Sequence, residues 1–352
     1  MKLHKALRLA KALLPLVTVF AVTAFGANGS YDGGQPTNPR DLKGKKIVLA
    51  DVPKLIGIGY FAATTKGQAE AAAELTKKGL PTEVTTDAPT EAAIQKQIEF
   101  IDNAISRGVD GILFASNDPV AISPVLRKAL KAGIRVIGYD AESQPDAREW
   151  FVQQATPDGI AKALIDSMVA EVGKEADIAI VTSSLTAPNQ NAWIAEMKKY
   201  IAAEGLKLNI VTILPSEEDQ QLAFKATGQI VKAYPNVKGI IGLSSVAFPG
   251  AADAITQANL IGKIAVTGLS TPNQMKPFVK SGCVKSVVLW NPVDLGYAAI
   301  YVMRAAVDGK LKPGDTEVDA GRLGKLKVIN GSQFLLGPPF IFNKDNIDKF
   351  DF

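Results

Sequence analysis

Histidine and cysteine are almost missing: the 352 residues contain one of each, His4 and Cys283. One cysteine forms no internal disulfide, and one thiol with one imidazole builds neither a His/Cys metal centre nor a histidine-based nucleophile triad. The shortage deepens because His4 lies in a segment expected to be removed. Residues 2–11 carry Lys2, Lys5, Arg8 and Lys11 without an acid, and residues 12–25 are an apolar run broken only by Pro15, Thr18 and Thr23. A positive start, a short apolar stretch and small residues after it make the pattern of a secretory signal. Residues 1–26 are read as that signal, with cleavage after Ala24 or Gly26. The run is shorter than the roughly 18–20 apolar residues that cross a bilayer, and no cysteine near it offers a lipid anchor. A periplasmic protein is expected.

Excess charge of one sign is also missing once the signal is set aside. Lys plus Arg falls from 39 to 35 on loss of Lys2, Lys5, Arg8 and Lys11, against 35 Asp plus Glu. A neutral chain recommends no nucleic-acid partner, which would call for a basic face. Catalytic parts are lacking too. Without histidine the serines have no obvious base, and nothing near Asp118 and Asp140 splits their acidities as a glycosidase pair requires. No catalytic residue, metal ligand or cofactor is assigned, and the chain is read as a binding protein rather than an enzyme. Gly57-Ile58-Gly59-Tyr60-Phe61-Ala62 fits a dinucleotide fingerprint in form. Tyr60 and Phe61, however, put bulk where a pyrophosphate must approach backbone.

What is present is repetition of short apolar strands and amphipathic helices. Strands are predicted at 45–52, 81–87, 111–116 and 135–140, with helices at about 60–78, 90–107 and 119–132. A second series of strands follows at 150–155, 177–184, 208–216, 239–245 and 264–270. Such βαβ repeats imply parallel sheets covered on both faces. About 325 mature residues exceed what one core usually holds, so the α/β chain is divided into two lobes. Because the first series is a strand short, residues 285–291 are expected to return to it. The lobes then comprise 44–141 plus 271–325 and 142–270 plus 326–352, with crossings near 141–149, 271 and 325. Residues 27–43, rich in Gly, Asn, Pro and Asp, are expected to be a flexible tail.

Ligands of open parallel sheets sit beyond the carboxyl ends of the strands, so the cleft between the lobes is the expected site. Lys54 there offers three donors, and Asp140 offers a carboxylate that accepts from two neighbouring hydroxyls. Tyr60 and Phe61 supply aromatic walls for a sugar ring. Asn189 and Gln190 supply amides, with Trp193 beside them; Ser244, Ser245, Trp290 and Asn291 complete the strand ends. The ligand expected is small and sugar-like, bound by hinge closure.

The segments VPKLIGIGYF, VIGYD, QQATPDGIAKALID, SSLTAPNQNAW, GLSTPNQMKPFVKSG and NIDKFDF resemble, in order and over residues 45–352, the type I periplasmic binding proteins of ABC importers. The likeness is to the branches that bind rhamnose and autoinducer-2. It implies two lobes joined by three crossovers, action as a monomer, and delivery of a sugar to a membrane permease. It carries the family's ligand lysine to Lys54 and its aspartate to Asp140. An Asp-Gln pair of the autoinducer-2 receptors becomes Asn189-Gln190, their Pro-Asp-Ala segment becomes Leu243-Ser244-Ser245, and their Trp-Asp becomes Trp290-Asn291. These departures, with LWNPVDLGY, AGRLGKLKV and LLGPP, favour a deoxyhexose such as rhamnose. The alternative is a receptor for autoinducer-2 or another sugar or polyol, serving chemotaxis.

Overall fold

The computed structural model describes residues 30–352; the expected signal, residues 1–26, lies outside them. The chain runs as β1 (Ile47–Val52), α1 (Gly59–Lys77), β2 (Thr82–Thr86), α2 (Ile94–Arg107), β3 (Gly111–Phe114), α3 (Ser123–Lys131), β4 (Arg135–Tyr139) and β5 (Trp150–Gln153). It continues with α4 (Pro157–Val172), β6 (Glu175–Thr182), α5 (Pro188–Ala203), β7 (Lys207–Pro215), α6 (Gln220–Ala233), β8 (Val237–Gly242), α7 (Ala247–Gln257), β9 (Ala265–Gly268), α8 (Pro272–Lys280) and β10 (Val287–Leu289). Then come α9 (Pro292–Val307) and four short strands: β11 (Glu317–Asp319), β12 (Lys325–Val328), β13 (Gln333–Leu335) and β14 (Phe340–Phe342).

These strands form two sheets. The first has the order β11-β12-β13-β5-β4-β3-β1-β2, parallel from β13 through β2 and antiparallel at the β11-β12-β13 edge. The second, β7-β6-β8-β9, is parallel throughout and is continued by a Leu269–Val288 bridge to β10, which pairs antiparallel with β14. Side-chain alternation along the strands divides the first lobe's core. Leu49, Leu113, Ile137 and Tyr139 belong to the cluster that holds α1 and α9. Ala50, Val52, Ile112, Phe114 and Val136 pack with Ile101 of α2 and Leu126 of α3. Helices on both faces explain why the strands read as almost unbroken apolar runs.

Three expectations are corrected. Residues 285–291 do not return to the first sheet; β10 stays with the second. The strand that the first sheet lacked is β5, hydrogen-bonded to β4 with Trp150 opposite Ile137 and Val152 opposite Tyr139, and β13 follows it. A short, fully buried apolar run carries no mark of which sheet it joins, so partner choice is set by tertiary placement. The chain therefore crosses between β5 and α4, between β10 and α9, and between β13 and β14, each later than predicted.

The third correction is the tail. Its described part, residues 30–43, is laid against the first lobe. Gly34 N donates to Arg148 O and Thr37 N to Leu130 O, each at 2.8 Å. Tyr31 packs edge-on against Trp150 at 5.0 Å and donates to Glu149 O at 2.8 Å. Gly33 and Gly34 allow this approach, since a Cβ at either would overlap the backbone oxygen of Glu149 or Asp146. The glycines read as looseness in the sequence are there for close contact.

Candidate functional site

The carboxyl ends of both sheets line a small cavity between the lobes, the kind of cleft in which small-molecule sites occur. Lys54, Ile58, Tyr60, Phe61 and Asp140 reach it from the first lobe. Asn189, Gln190, Trp193, Glu218, Leu243, Ser244, Ser245 and Leu269 reach it from the second, with Leu289 and Trp290 at the second crossing.

Asp140 anchors one wall. It follows β4 with φ +61°, a left-handed conformation that aspartate tolerates better than most residues, and Gln154 Nε2 donates to its carbonyl at 3.1 Å. This bend turns its side chain into the cavity. Trp290 Nε1 donates to Tyr60 Oη at 2.9 Å, and Tyr60 Oη donates to Asp140 Oδ1 at 2.9 Å. Asp140 Oδ2 faces Lys54 Nζ at 4.0 Å, too far for a hydrogen bond, with both side chains at most 5% exposed. Burial pushes the Asp140 carboxyl up, against the pull of Lys54 and Tyr60. Tyr60 rises well above its usual value through burial and the Asp140 charge, so its hydroxyl stays protonated and orients the carboxylate.

Lys54 spends one proton across the cleft, on Asn189 Oδ1 at 3.3 Å. Its remaining donor capacity, and one oxygen of Asp140, point into the empty space. Other groups at the cavity also lack partners: Trp193 Nε1, Ser245 Oγ and Glu218 Oε2 are buried without a hydrogen bond. Leaving such groups unmade costs about 1–3 kcal/mol each, so their convergence is what a polar ligand would relieve. Apolar and aromatic surface supplies the rest, with Trp193 and Trp290 at 5.9 Å and Tyr60 and Phe61 at 5.2 Å, both edge to face.

Ten of the eleven residues expected at the site line this cavity, but several are committed locally. Gln190 Oε1 accepts from Thr182 Oγ1 at 2.5 Å and Ser183 N at 2.7 Å, bracing the end of β6. Ser244 Oγ accepts from Ala247 N at 3.1 Å at the start of α7. Asn291 is not in the lining. Its Oδ1 accepts from Val293 N at 3.0 Å and Asp294 N at 3.4 Å, the N-cap of α9. The amide is thus spent on helix donors that have no other partner. Glu218 was not anticipated: nothing distinguishes Ser216-Glu217-Glu218-Asp219 from a solvated turn before a helix, and its left-handed backbone leaves no sequence signal. Among the described residues, no group of three or more His, Cys, Asp or Glu could hold a metal ion.

Comparison with known proteins agrees with this geometry. A model of the periplasmic binding protein domain matches residues 50–311. The chain belongs to this family. A sugar ABC transporter structure from Actinomyces odontolyticus is 31% identical, with a TM-score of 0.70, covering 92% of this chain and 100% of that one. A solute-binding protein from Clostridium phytofermentas with bound L-rhamnose is 30% identical, with a TM-score of 0.80, covering 87% of this chain and 98% of its own. LsrB from Clostridium saccharobutylicum in complex with AI-2 is 25% identical, with a TM-score of 0.81, covering 87% and 100%. Among curated proteins, the D-ribose/D-allose-binding protein of Pseudomonas aeruginosa is 26% identical over 285 residues, 78% of this chain and 84% of that protein. These relatives are substrate-binding proteins of ABC transporters, not enzymes, and the fold is that of type I periplasmic binding proteins.

Proposed function

We propose that this protein is the periplasmic sugar-binding component of an ABC importer and that its cleft takes a 6-deoxyhexose such as L-rhamnose. One observation carries the reading: the buried Lys54–Asp140 pair and the unpartnered polar atoms of Trp193, Ser245 and Glu218 share one cavity with apolar walls from Ile58, Phe61, Leu243, Leu269 and Leu289. A ligand that suits both has adjacent hydroxyls on one part and a methyl or bare ring face on another. The rhamnose-bound relative supports this choice.

In this reading Lys54 and Asp140 bind vicinal hydroxyls, Tyr60 and Trp290 hold Asp140 in orientation, and Trp193 closes over the ring. Closing the lobes desolvates these bonds, and the closed form is what the membrane permease meets. In this reading the protein acts as a monomer, which light scattering will show as a mass near 35 kDa after loss of residues 1–26. That figure is the full chain's 37.3 kDa scaled to the mature chain. N-terminal sequencing of secreted protein checks the cleavage.

A thermal-shift panel of L-rhamnose, D-ribose, D-allose, D-arabinose, polyols and autoinducer-2 tests the ligand, because a molecule that binds only the folded chain raises Tm. L-rhamnose is expected to give the largest rise. Autoinducer-2 is the second reading, favoured by the AI-2-bound neighbour. A rise with it and none with rhamnose would reverse the order.

A further inference from the structure

Glu218 sits in the turn between β7 and α6, where Glu217 and Glu218 both have left-handed backbone, φ +50° and +55°. Glutamate seldom occupies this region, and such strain persists only where surrounding structure enforces it. The enforcement is visible. Ser216 N donates to Thr182 O at 2.8 Å, Glu217 N to Ser183 O at 2.6 Å, and Asp219 N to Ser216 O at 2.9 Å. The turn is thereby tied to the end of β6, beside Asn189 and Gln190. Asp219 Oδ1 then accepts from Leu222 N at 2.7 Å and starts α6, which leaves Glu218 free of any capping duty.

The consequence is a second carboxylate at the cavity. Glu218 lines it with a buried Oε2 that has no hydrogen-bond partner. Lys54 is the only cation among the lining residues, and it already faces Asp140. Two acids thus share one ammonium at the same cavity.

We propose that Glu218 is a ligand-reading residue of the second lobe, accepting a sugar hydroxyl opposite the one held by Asp140, and that the two acids restrict the cavity to uncharged polyols. This rests on the sugar-binding reading above. A sugar acid or sugar phosphate would bring another negative charge into a space whose single ammonium is already engaged, and burial strengthens that repulsion. A neutral hydroxyl instead donates to the orphan oxygen. Burial also raises the Glu218 carboxyl, against the pull of Lys54 and of Ser244 and Ser183 beside it.

Calorimetry on the full secreted chain tests this with L-rhamnose and L-rhamnonate, then with whichever neutral sugar of the panel binds best and its aldonate. The wild type is expected to bind the neutral sugar and to reject the acid by at least 100-fold. Glu218→Gln should weaken the neutral sugar at least 10-fold and narrow the discrimination. Glu218→Asn, a residue at ease with left-handed backbone, withdraws the acid without straining the turn, so it should keep the melting temperature while losing the same affinity. Unchanged sugar affinity in both variants, or tight binding of the acid by the wild type, overturns the proposal while leaving sugar binding intact. Silence of the folded wild type towards every sugar and polyol instead overturns the sugar-binding reading, and this proposal with it.

Discussion

Residues at strand ends were legible wherever position alone decides their surroundings. Lys54 and Asp140 are polar residues at the ends of apolar strands, and the topology carries both to the cleft. Asn291 occupies the same kind of position, yet Asn291-Pro292-Val293-Asp294 is also a helix start, with a capping amide and proline in the first turn. Here the cap prevails because α9 is buried at every residue but Asp294 and its first donors have no other partner. The site's central pair makes a direct prediction. Asp140→Asn keeps the left-handed backbone and a partner for Tyr60 but removes the charge facing Lys54. It should weaken sugar binding about 100-fold, roughly 3 kcal/mol, as expected when one member of a buried charged pair is lost. Calorimetry beside an unchanged circular dichroism spectrum checks this. A second acid, Asp51, is fully buried under α1, where it accepts from Tyr139 Oη at 2.9 Å and Thr86 Oγ1 at 3.0 Å. Burial raises it from the usual 3.8 to about 6, the nearby Gln68 amide and the hydrogen bonds from Tyr139 and Thr86 opposing. A raised folded value means that the folded chain holds a proton which the unfolded chain has released. Its contribution to stability is complete below pH ~3.8 and is lost as pH rises through about 6. That change corresponds to roughly 3 kcal/mol. Asp51→Asn does not titrate, so its stability relative to wild type should climb between pH 4 and pH 7. Parallel melting curves across that range would show that Asp51 titrates alike in both states.

Elements were legible in kind but not always in partnership. The alternation of strand and helix identified the first ten strands and the helices among them, because periodicity reports the local environment, but not the four short strands β11 to β14. It did not distribute β5 and β10 between the sheets, because WFVQ and VVL are buried on both sides in either one. Packing of α1 on α9 was equally invisible, although its devices stand in the sequence. A Cβ at Gly67 of α1 would overlap the Val293 carbonyl, and one at Gly296 of α9 would overlap the Thr64 carbonyl. These two glycines let the helix axes approach closely, and glycine's usual penalty inside a helix, about 1 kcal/mol, is outweighed by that contact. Gly67→Ala forces the helices apart and should destabilise the chain by about 1–3 kcal/mol. Because Tyr60 and Phe61 start α1, sugar affinity should fall with it. A solvent-facing control such as Gly228→Ala, which meets nothing within 4 Å, should instead leave Tm level or raise it slightly. Equal melting temperatures for the two variants would show that the α1–α9 contact is not under steric tension.

At the scale of the whole molecule, two lobes follow from chain length and repeat pattern and three crossings from the family resemblance, whereas the crossing points and closure require coordinates. The lobes meet through few polar contacts at the cavity. Lys54 of the first lobe reaches Asn189 of the second, and Trp193 of the second lobe packs on Trp290 at the crossing. A ligand that bonds both walls adds free energy only to the closed arrangement and so shifts the population towards it. The three tryptophans can report this shift because they are differently placed. Trp193 and Trp290 line the cavity, while Trp150 lies between Tyr31 and Phe334 in the first lobe. Sugar should therefore change the emission of the wild type and of Trp150→Phe alike, and the change should shrink sharply in Trp193→Phe at saturating ligand. Small-angle scattering on the same samples should show a smaller radius of gyration with sugar than without. An emission change that survives in Trp193→Phe but vanishes in Trp150→Phe would place the ligand's effect inside the first lobe, and hinge closure over the cavity would have to be given up.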